Sequence, residues 1–175
     1  MVSLKKRIRQ TKIQRAAEGY LELGMARHAL DTLARLGDPA GFDAPTLYLW
    51  GEALRAMERY EEAVEPLRHA ARLAPENLHV WFALGWCYKR TGQIHLAIRS
   101  LERVLAVDPA EALVHYNLAC YWSLAGNKRR ALDFLSRALE IDPDYRRLID
   151  AEPDFNPIRS DPQFQALCTA SEAPR

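Results

Sequence analysis

The sequence predicts an all-α chain of stacked, antiparallel helix pairs. Three observations predict it. Apolar columns return every 34 residues through four copies. Within each copy the apolar residues keep helical spacing. No stretch alternates polar and apolar residues as a half-buried strand does. The run from Val80 to Leu84 is apolar throughout and taken alone fits a buried strand, but the matching positions of the other copies follow a helical period.

The columns are specific. Pro75, Pro109 and Pro143 are 34 apart, and so are Ala29, Ala63, Ala97 and Ala131. Leu33, Leu67, Leu101 and Leu135 make another set, and Tyr20, Leu54, Tyr88 and Trp122 a fourth. With copies starting at residues 10, 44, 78 and 112, large residues at positions 4, 7 and 11 and a small one at 8 make one stripe of a first helix. A second helix starts near position 17 and presents positions 20, 24 and 27. Small residues at 8 and 20 let the two backbones approach closely. Gly24, Gly92 and Gly126 fall at the end of the first helix, where a left-handed residue closes it. The second copy carries Glu58 there, so its turn differs or is strained. Proline at position 32 stops the second helix. Pro66 breaks this rule: it falls inside the second helix of copy two, leaves the Glu62 carbonyl without its usual partner, and is expected to kink that helix.

This pattern resembles the tetratricopeptide repeat (TPR), whose signature is W-x2-L-G-x2-Y, then A-x3-F, then P. The third copy carries it as Trp81, Leu84, Gly85, Tyr88, Ala97, Leu101 and Pro109, departing only in Leu101 for Phe. The second has Leu47, Trp50, Gly51, Leu54, Ala63, Leu67 and Pro75; the fourth has His115, Leu118, Ala119, Trp122, Ala131, Leu135 and Pro143. The first is weaker, with Ile13, Ala16, Ala17, Tyr20, Ala29, Leu33, and Gly41 in place of the proline. The resemblance implies a right-handed TPR solenoid with repeats at about 10–43, 44–77, 78–111 and 112–145, closed by a cap over 146–170, all in one domain of residues 1–175. The segment Tyr116–Asn127 followed by the D-P-x-F-x-x-L tail is similar to the closing repeat of many bacterial arrays, which implies a bacterial source.

The ends depart from the period. Leu4 and Ile8 extend the first helix backwards, with Lys5, Lys6, Arg7 and Arg9 mostly on its solvated side. At the other end Ser160-Asp161-Pro162 reads as a helix start. Phe155, Ile158, Phe164 and Leu167 are the candidates for covering the last apolar face of the array. The residues from about 169 to 175 are expected to fray.

Composition narrows the function classes. The chain has 24 basic and 23 acidic residues in 175, a net charge of +1, which argues against a dedicated nucleic-acid or anionic-membrane binder. The segregated charge (+4 over residues 1–10) leaves the N-terminal helix as the one place where RNA or anionic lipid contact is conceivable. Three scattered cysteines make neither a disulfide framework nor a metal set, and fit a reducing cytoplasm. No stretch is long and apolar enough to span a membrane. Catalytic motifs are absent: there is no G-x-G-x-x-G, Walker A, H-E-x-x-H or G-x-S-x-G. The five histidines are scattered. Cys87 reads as a small apolar packing residue, and Cys120, on another side of its helix, as accessible. The expectation is a non-enzyme without cofactor, metal or small-molecule substrate.

What remains is surface. The resemblance places positions 2, 5, 9, 12 and 13 of the first helices on the concave groove where TPR partners bind. Position 5 gives Gln14, Tyr48, Phe82 and Tyr116; position 9 gives Glu18, Glu52, Trp86 and Cys120; position 12 gives Leu21, Arg55, Lys89 and Ser123; position 13 adds Arg90 and position 2 adds His79. Tyr48, Phe82, Trp86 and Tyr116 form an aromatic ladder, and aromatics with arginine dominate binding hot spots. Arg55, Lys89 and Arg90 are read as receiving carboxylates, with Glu52 and Glu18 repelling them at the other end. Two readings stand: the rings anchor a partner segment, or they pack between neighbouring helices. Chaperone-tail-binding relatives grip a terminal carboxylate with lysine at 5 and asparagine at 9 of one copy. Gln14 and Glu18, or Tyr48 and Glu52, stand there instead, and the later clamp positions hold Leu49 or Ala83, then His79 and Ala83, or Leu113 and Asn117. That clamp is absent. The function expected is a protein-interaction adaptor, with self-association into a homo-oligomer as the alternative.

Overall fold

A computed structural model describes residues 4–169, and its contacts divide the chain into two compact units, residues 1–93 and 94–175. Among the described residues every regular element is helical. The first unit holds α1 (Leu4–Glu22), α2 (Ala26–Ala34), α3 (Ala44–Ala56), α4 (Tyr60–Leu73) and α5 (Leu78–Arg90). The second holds α6 (Ile94–Leu105), α7 (Ala112–Leu124), α8 (Lys128–Ile141), the short α9 (Arg146–Ile149) and α10 (Pro162–Thr169). The expected fraying concerns residues that, beyond Thr169, lie outside those described.

The 34-residue period fixes where helices begin. First helices start at Ala44, Leu78 and Ala112, and second helices at Ala26, Tyr60, Ile94 and Lys128. Each of those first helices is capped by the residue before it. The Asp43 carboxylate accepts the Thr46 amide, the Asn77 side chain the His79 amide and the Glu111 carboxylate the Leu113 amide. α1 starts six residues earlier than the period requires, as the extension through Leu4 and Ile8 predicts.

The columns are the core. Ala29, Ala63, Ala97 and Ala131 are fully buried, and Leu33, Leu67, Leu101 and Leu135 no more than 1% exposed. In the first unit α1 packs on α2, α3 on α4, and α3 also on α1, α2 and α5. A Cβ added at Gly51 would lie 2.5 Å from Leu67 Cγ, so the small residue at position 8 sets the α3–α4 approach. The ring at position 4 has a second duty. Trp81 Nε1 donates to the Pro75 carbonyl at 2.8 Å, and the His115 Nε2 makes the same six-residue reach to the Pro109 carbonyl at 2.9 Å. Thus the proline that stops one second helix offers its carbonyl to the next first helix.

Two positions break the pattern of their columns, Glu58 and Pro66. Glu58 takes the left-handed conformation (φ 59°) that Gly24, Gly92 and Gly126 take at φ 71–75°, so the second turn keeps the common geometry and is strained rather than altered. α4 continues as one helix from Tyr60 to Leu73 with Pro66 inside it.

In the second unit the tail folds over α7 and α8. The turn Pro153–Ile158 packs on α7, and α10 reaches α8. Phe155, Ile158 and Phe164 are buried, while Leu167 is half-buried. Asp161 caps α10 through the Gln163 and Phe164 amides and pairs with the Lys128 ammonium at 2.7 Å, tying the tail to α8.

Candidate functional site

The site is built where α3 faces α5. Both helices begin at a capped position 1, so positions 5 and 9 of each point to the same side, and α1 adds its own positions 5 and 9. Tyr48, Glu52 and Arg55 of α3, with His79, Phe82, Ala83 and Trp86 of α5, line a hollow of about 130 Å³. Tyr48 is also the wall of a second hollow, of about 380 Å³, lined on the α1 side by Gln14 and Glu18. Gln14 is fixed there by donating to Thr46 Oγ1 at 2.8 Å and to Asp43 at 3.1 Å. Tyr48, Phe82 and Trp86 are half-buried. Tyr48 packs against the core cluster of Ile13, Ala17 and Leu49, so the rings are seated in the fold and still open on one side.

The charges in the hollow are satisfied within one helix. Arg55 Nε and Nη2 donate to the two Glu52 carboxylate oxygens at 2.7 and 2.8 Å, a two-pronged pair across three residues. That hydrogen bonding holds the Arg55 guanidinium above its ordinary pKa. Burial, and then the Glu52 charge, push the Tyr48 hydroxyl up to about 12 against the opposing Arg55. Behind the hollow burial raises the Cys87 thiol to about 12. The Glu52–Arg55 pair thus sums to zero charge, and burial keeps both the Tyr48 hydroxyl and the Cys87 thiol protonated near pH 7. The volume of the hollow is well below the roughly 300–1,000 Å³ of small-molecule pockets and suits one side chain.

Two family models, both described as tetratricopeptide repeat, match residues 42–110 and 88–146, together well over half of the chain. The chain belongs to the TPR family. A curated relative, Superkiller protein 3 of Schizosaccharomyces pombe, is 26% identical over 84 residues, which is 48% of this chain and only 6% of that protein. Solved TPR structures align over more of it. YrrB, a TPR protein with an unusual peptide-binding site, is 25% identical over 78% of this chain and 70% of its own, with a TM-score of 0.70. MamA of Desulfovibrio magneticus RS-1 is 21% identical over 91% of this chain and 93% of its own, with a TM-score of 0.72. The MamA likeness shows the fold alone. The TPR fold supports a protein–protein interaction role in general.

The TPR groove positions read from the sequence now separate. Tyr48, Phe82, Trp86, Glu52 and Arg55 come together in the first unit. Glu52 does not stand at an opposite end from Arg55; the i, i+3 spacing puts the two carboxylate oxygens on the guanidinium. Lys89 lies over the Trp86 ring, 5.9 Å from its centroid. Arg90 turns away: its guanidinium stacks 5.0 Å from the Tyr60 ring of α4. Ala83 also lines the hollow, and its signal in the sequence is a small residue between the aromatics at positions 5 and 9.

Tyr116 is covered. In the second unit it is 5% exposed, with its ring 5.7 Å from Phe155, edge to face, and 5.0 Å from Tyr145. Burial, then the neighbouring Cys120, Glu152 and Asp154, push its hydroxyl well above the ordinary tyrosine range. Cys120, expected to be accessible, is buried, because the non-repeating turn Pro153–Ile158 lies on α7. Among the described residues one group could offer a metal three ligand atoms: Cys120, Glu152 and Asp154, within 4.8 Å of one another. The Glu152 carboxylate there already accepts the Asp154 amide, as the cap of that turn. Among the described residues no helix is long and apolar enough to cross a membrane.

Proposed function

We propose that this TPR chain is a non-catalytic adaptor that binds a protein segment across α1, α3 and α5. The observation that carries the reading is the hollow walled by Tyr48, Phe82 and Trp86 beside the second hollow that shares Tyr48. Half-buried aromatics with an arginine are the residue types on which interface energy concentrates. The internal Glu52–Arg55 pair leaves no unpaired charge at the floor, so an apolar anchor loses little by entering. The likeness to YrrB, a TPR protein with an unusual peptide-binding site, supports a peptide as the class of ligand. The partner is a segment with one apolar side chain for the α3–α5 hollow and polar groups towards Gln14 and Glu18.

The test is affinity capture from the native host with mass spectrometry, comparing the wild type with Tyr48→Ala/Phe82→Ala/Trp86→Ala. Circular dichroism establishes that the variant keeps its helices. Partners recovered by the wild type and lost from the variant support the proposal; equal recovery overturns it. Tyr116→Ala is unsuited to this test, because its ring is part of the core under the tail.

A further inference from the structure

The basic N-terminal helix has an apolar hollow of its own. About 530 Å³ lies along α1 and α2, floored by Ile8 and Ile13 and rimmed by Lys5, Arg9, Lys12 and Arg35. It is on the side of α1 turned from α3: Gln10 and Gln14 reach Thr46 of α3, whereas Ile8 and Lys12 project from the other side of the 3.6-residue period. Leu4 is 72% exposed and Ile8 50%, so among the described residues little of the first unit covers the apolar stripe that extends α1. From Leu4 to Ala17 there are six cations (Lys5, Lys6, Arg7, Arg9, Lys12 and Arg15) and no acid, and α2 with its C-cap adds Arg27 and Arg35 against the single acid Asp31. Arg9 spends one donor on the Arg35 carbonyl at 2.8 Å, which bridges α1 to the end of α2 and firms the rim.

We propose that this hollow docks an amphipathic helix of another protein, with its apolar stripe on Ile8 and Ile13 and acidic side chains on the Lys5, Arg9, Lys12 and Arg35 rim. Charge complementarity carries the choice of occupant. An apolar floor between two cationic edges is the complement of an apolar stripe with acidic flanks, and a helix laid in a groove presents that pattern at i, i+3, i+4 and i+7. RNA is disfavoured because no residue lining the hollow is aromatic, and base stacking needs such a platform. A lipid surface is disfavoured because the exposed apolar residues of this stripe are only Leu4 and Ile8, too little apolar area to anchor a helix in a bilayer interface. A second copy is disfavoured because α4, the helix opening on Glu61 and Glu62, has Glu62 paired with Arg59 and Glu65 paired with Arg68 and Arg72.

The test uses the full chain and a fluorescein-labelled synthetic helix of about 18 residues, with leucines on one stripe and glutamates on both flanks. Fluorescence anisotropy reads its binding at about 50 mM and about 300 mM salt. Binding is expected to weaken about tenfold or more in Lys5→Glu/Lys12→Glu and in Ile8→Ser, each at an exposed position, and to weaken with salt. The Tyr48→Ala/Phe82→Ala/Trp86→Ala variant is expected to bind as the wild type, which separates this site from the groove. No binding to the wild type, equal binding of a lysine-for-glutamate peptide, or loss in the groove variant overturns the proposal. So does tighter binding of single-stranded RNA or phosphatidylserine vesicles through the same residues. Self-association in sedimentation that Ile8→Ser abolishes does the same.

Discussion

Glu58 offers a test of how the repeat sets the backbone. Each first helix closes with the same pair of hydrogen bonds. In the second copy the Glu58 amide donates to the Arg55 carbonyl at 3.0 Å and the Arg59 amide to the Leu54 carbonyl at 2.9 Å. Gly92 with Gln93, and Gly126 with Asn127, repeat the pair within 0.1 Å. The motif requires a positive φ, and only Glu58 meets it with a side chain among the described residues. A left-handed non-glycine residue costs roughly 1–2 kcal/mol. Glycine returns roughly 0.5–1 kcal/mol of that through its freedom in the unfolded chain. Because Glu58 is exposed, no packing is lost. Glu58→Gly is therefore expected to gain about 0.5–1 kcal/mol, or about 1–4 °C in Tm at this chain length.

The assay is thermal and urea unfolding by circular dichroism at about 0.5 M salt, where the screening length is roughly 4 Å. Screening matters because Glu58 sits at the negative end of the α3 dipole, so removing its charge also helps at low salt. Glu58→Ala separates the causes: it removes the charge and keeps the strained φ. At high salt it should match the wild type while Glu58→Gly exceeds it, and Gly126→Glu should lose what Glu58→Gly gains. An alanine variant as stabilised as the glycine variant would refute the backbone argument.

Three further outcomes follow from other positions. Pro66→Ala restores the amide for the Glu62 carbonyl within α4 and should raise the urea midpoint, by roughly 1–3 kcal/mol in stability. Phe155→Ala removes a fully buried ring from the contact with Tyr116 and Phe164, and should cost about 3–5 kcal/mol. It should also let Ellman's reagent reach Cys120 in the folded protein, where the wild type yields only the half-buried Cys168. Burial holds both Cys87 and Tyr48 near 12 in the fold, above their unfolded values, so the stability they contribute is complete below about pH 8. It falls as pH rises past about 9, where the unfolded chain releases protons that the fold retains, and Cys87→Ala should flatten that fall in a urea-midpoint titration.

The sequence made the fold legible because one rule recurs. A buried Ala–Leu column and a stop proline spaced by 34 residues give helix starts that the structure reproduces at Ala44, Leu78 and Ala112. The candidate site was legible only in part, because periodicity treats equal positions as equal surroundings. Tyr48 and Tyr116 hold the same position, yet Tyr116 meets a tail that no earlier copy has, and a period carries no information about where a non-repeating segment docks. Glu52 and Arg55 were visible as an i, i+3 pair, but assigning each to a groove end overlooked their mutual reach. Position alone puts Arg90 on the groove, whereas the ring of Tyr60, which opens α4, captures it.

The covered ring also says what the open ones accept. Position 5 is a tyrosine or phenylalanine in three copies, half-exposed at Tyr48 and Phe82 and capped at Tyr116 by the chain's own Phe155. That cap is an internal ligand: an aromatic side chain set edge-on against a position-5 ring, followed by Ile158 and Phe164 over the same end of the unit. An edge-to-face pair adds about 0.5–1.5 kcal/mol beyond its buried area. The same physics applies to the α3–α5 hollow, where Glu52 and Arg55 neutralise each other. An aromatic anchor should therefore bind there about three- to tenfold more tightly than an aliphatic one of similar area, in peptides that differ only at the anchor. Anisotropy titrations that rank a charged anchor above the aromatic one would show that the Glu52–Arg55 pair opens on binding, and that the hollow recognises charge after all.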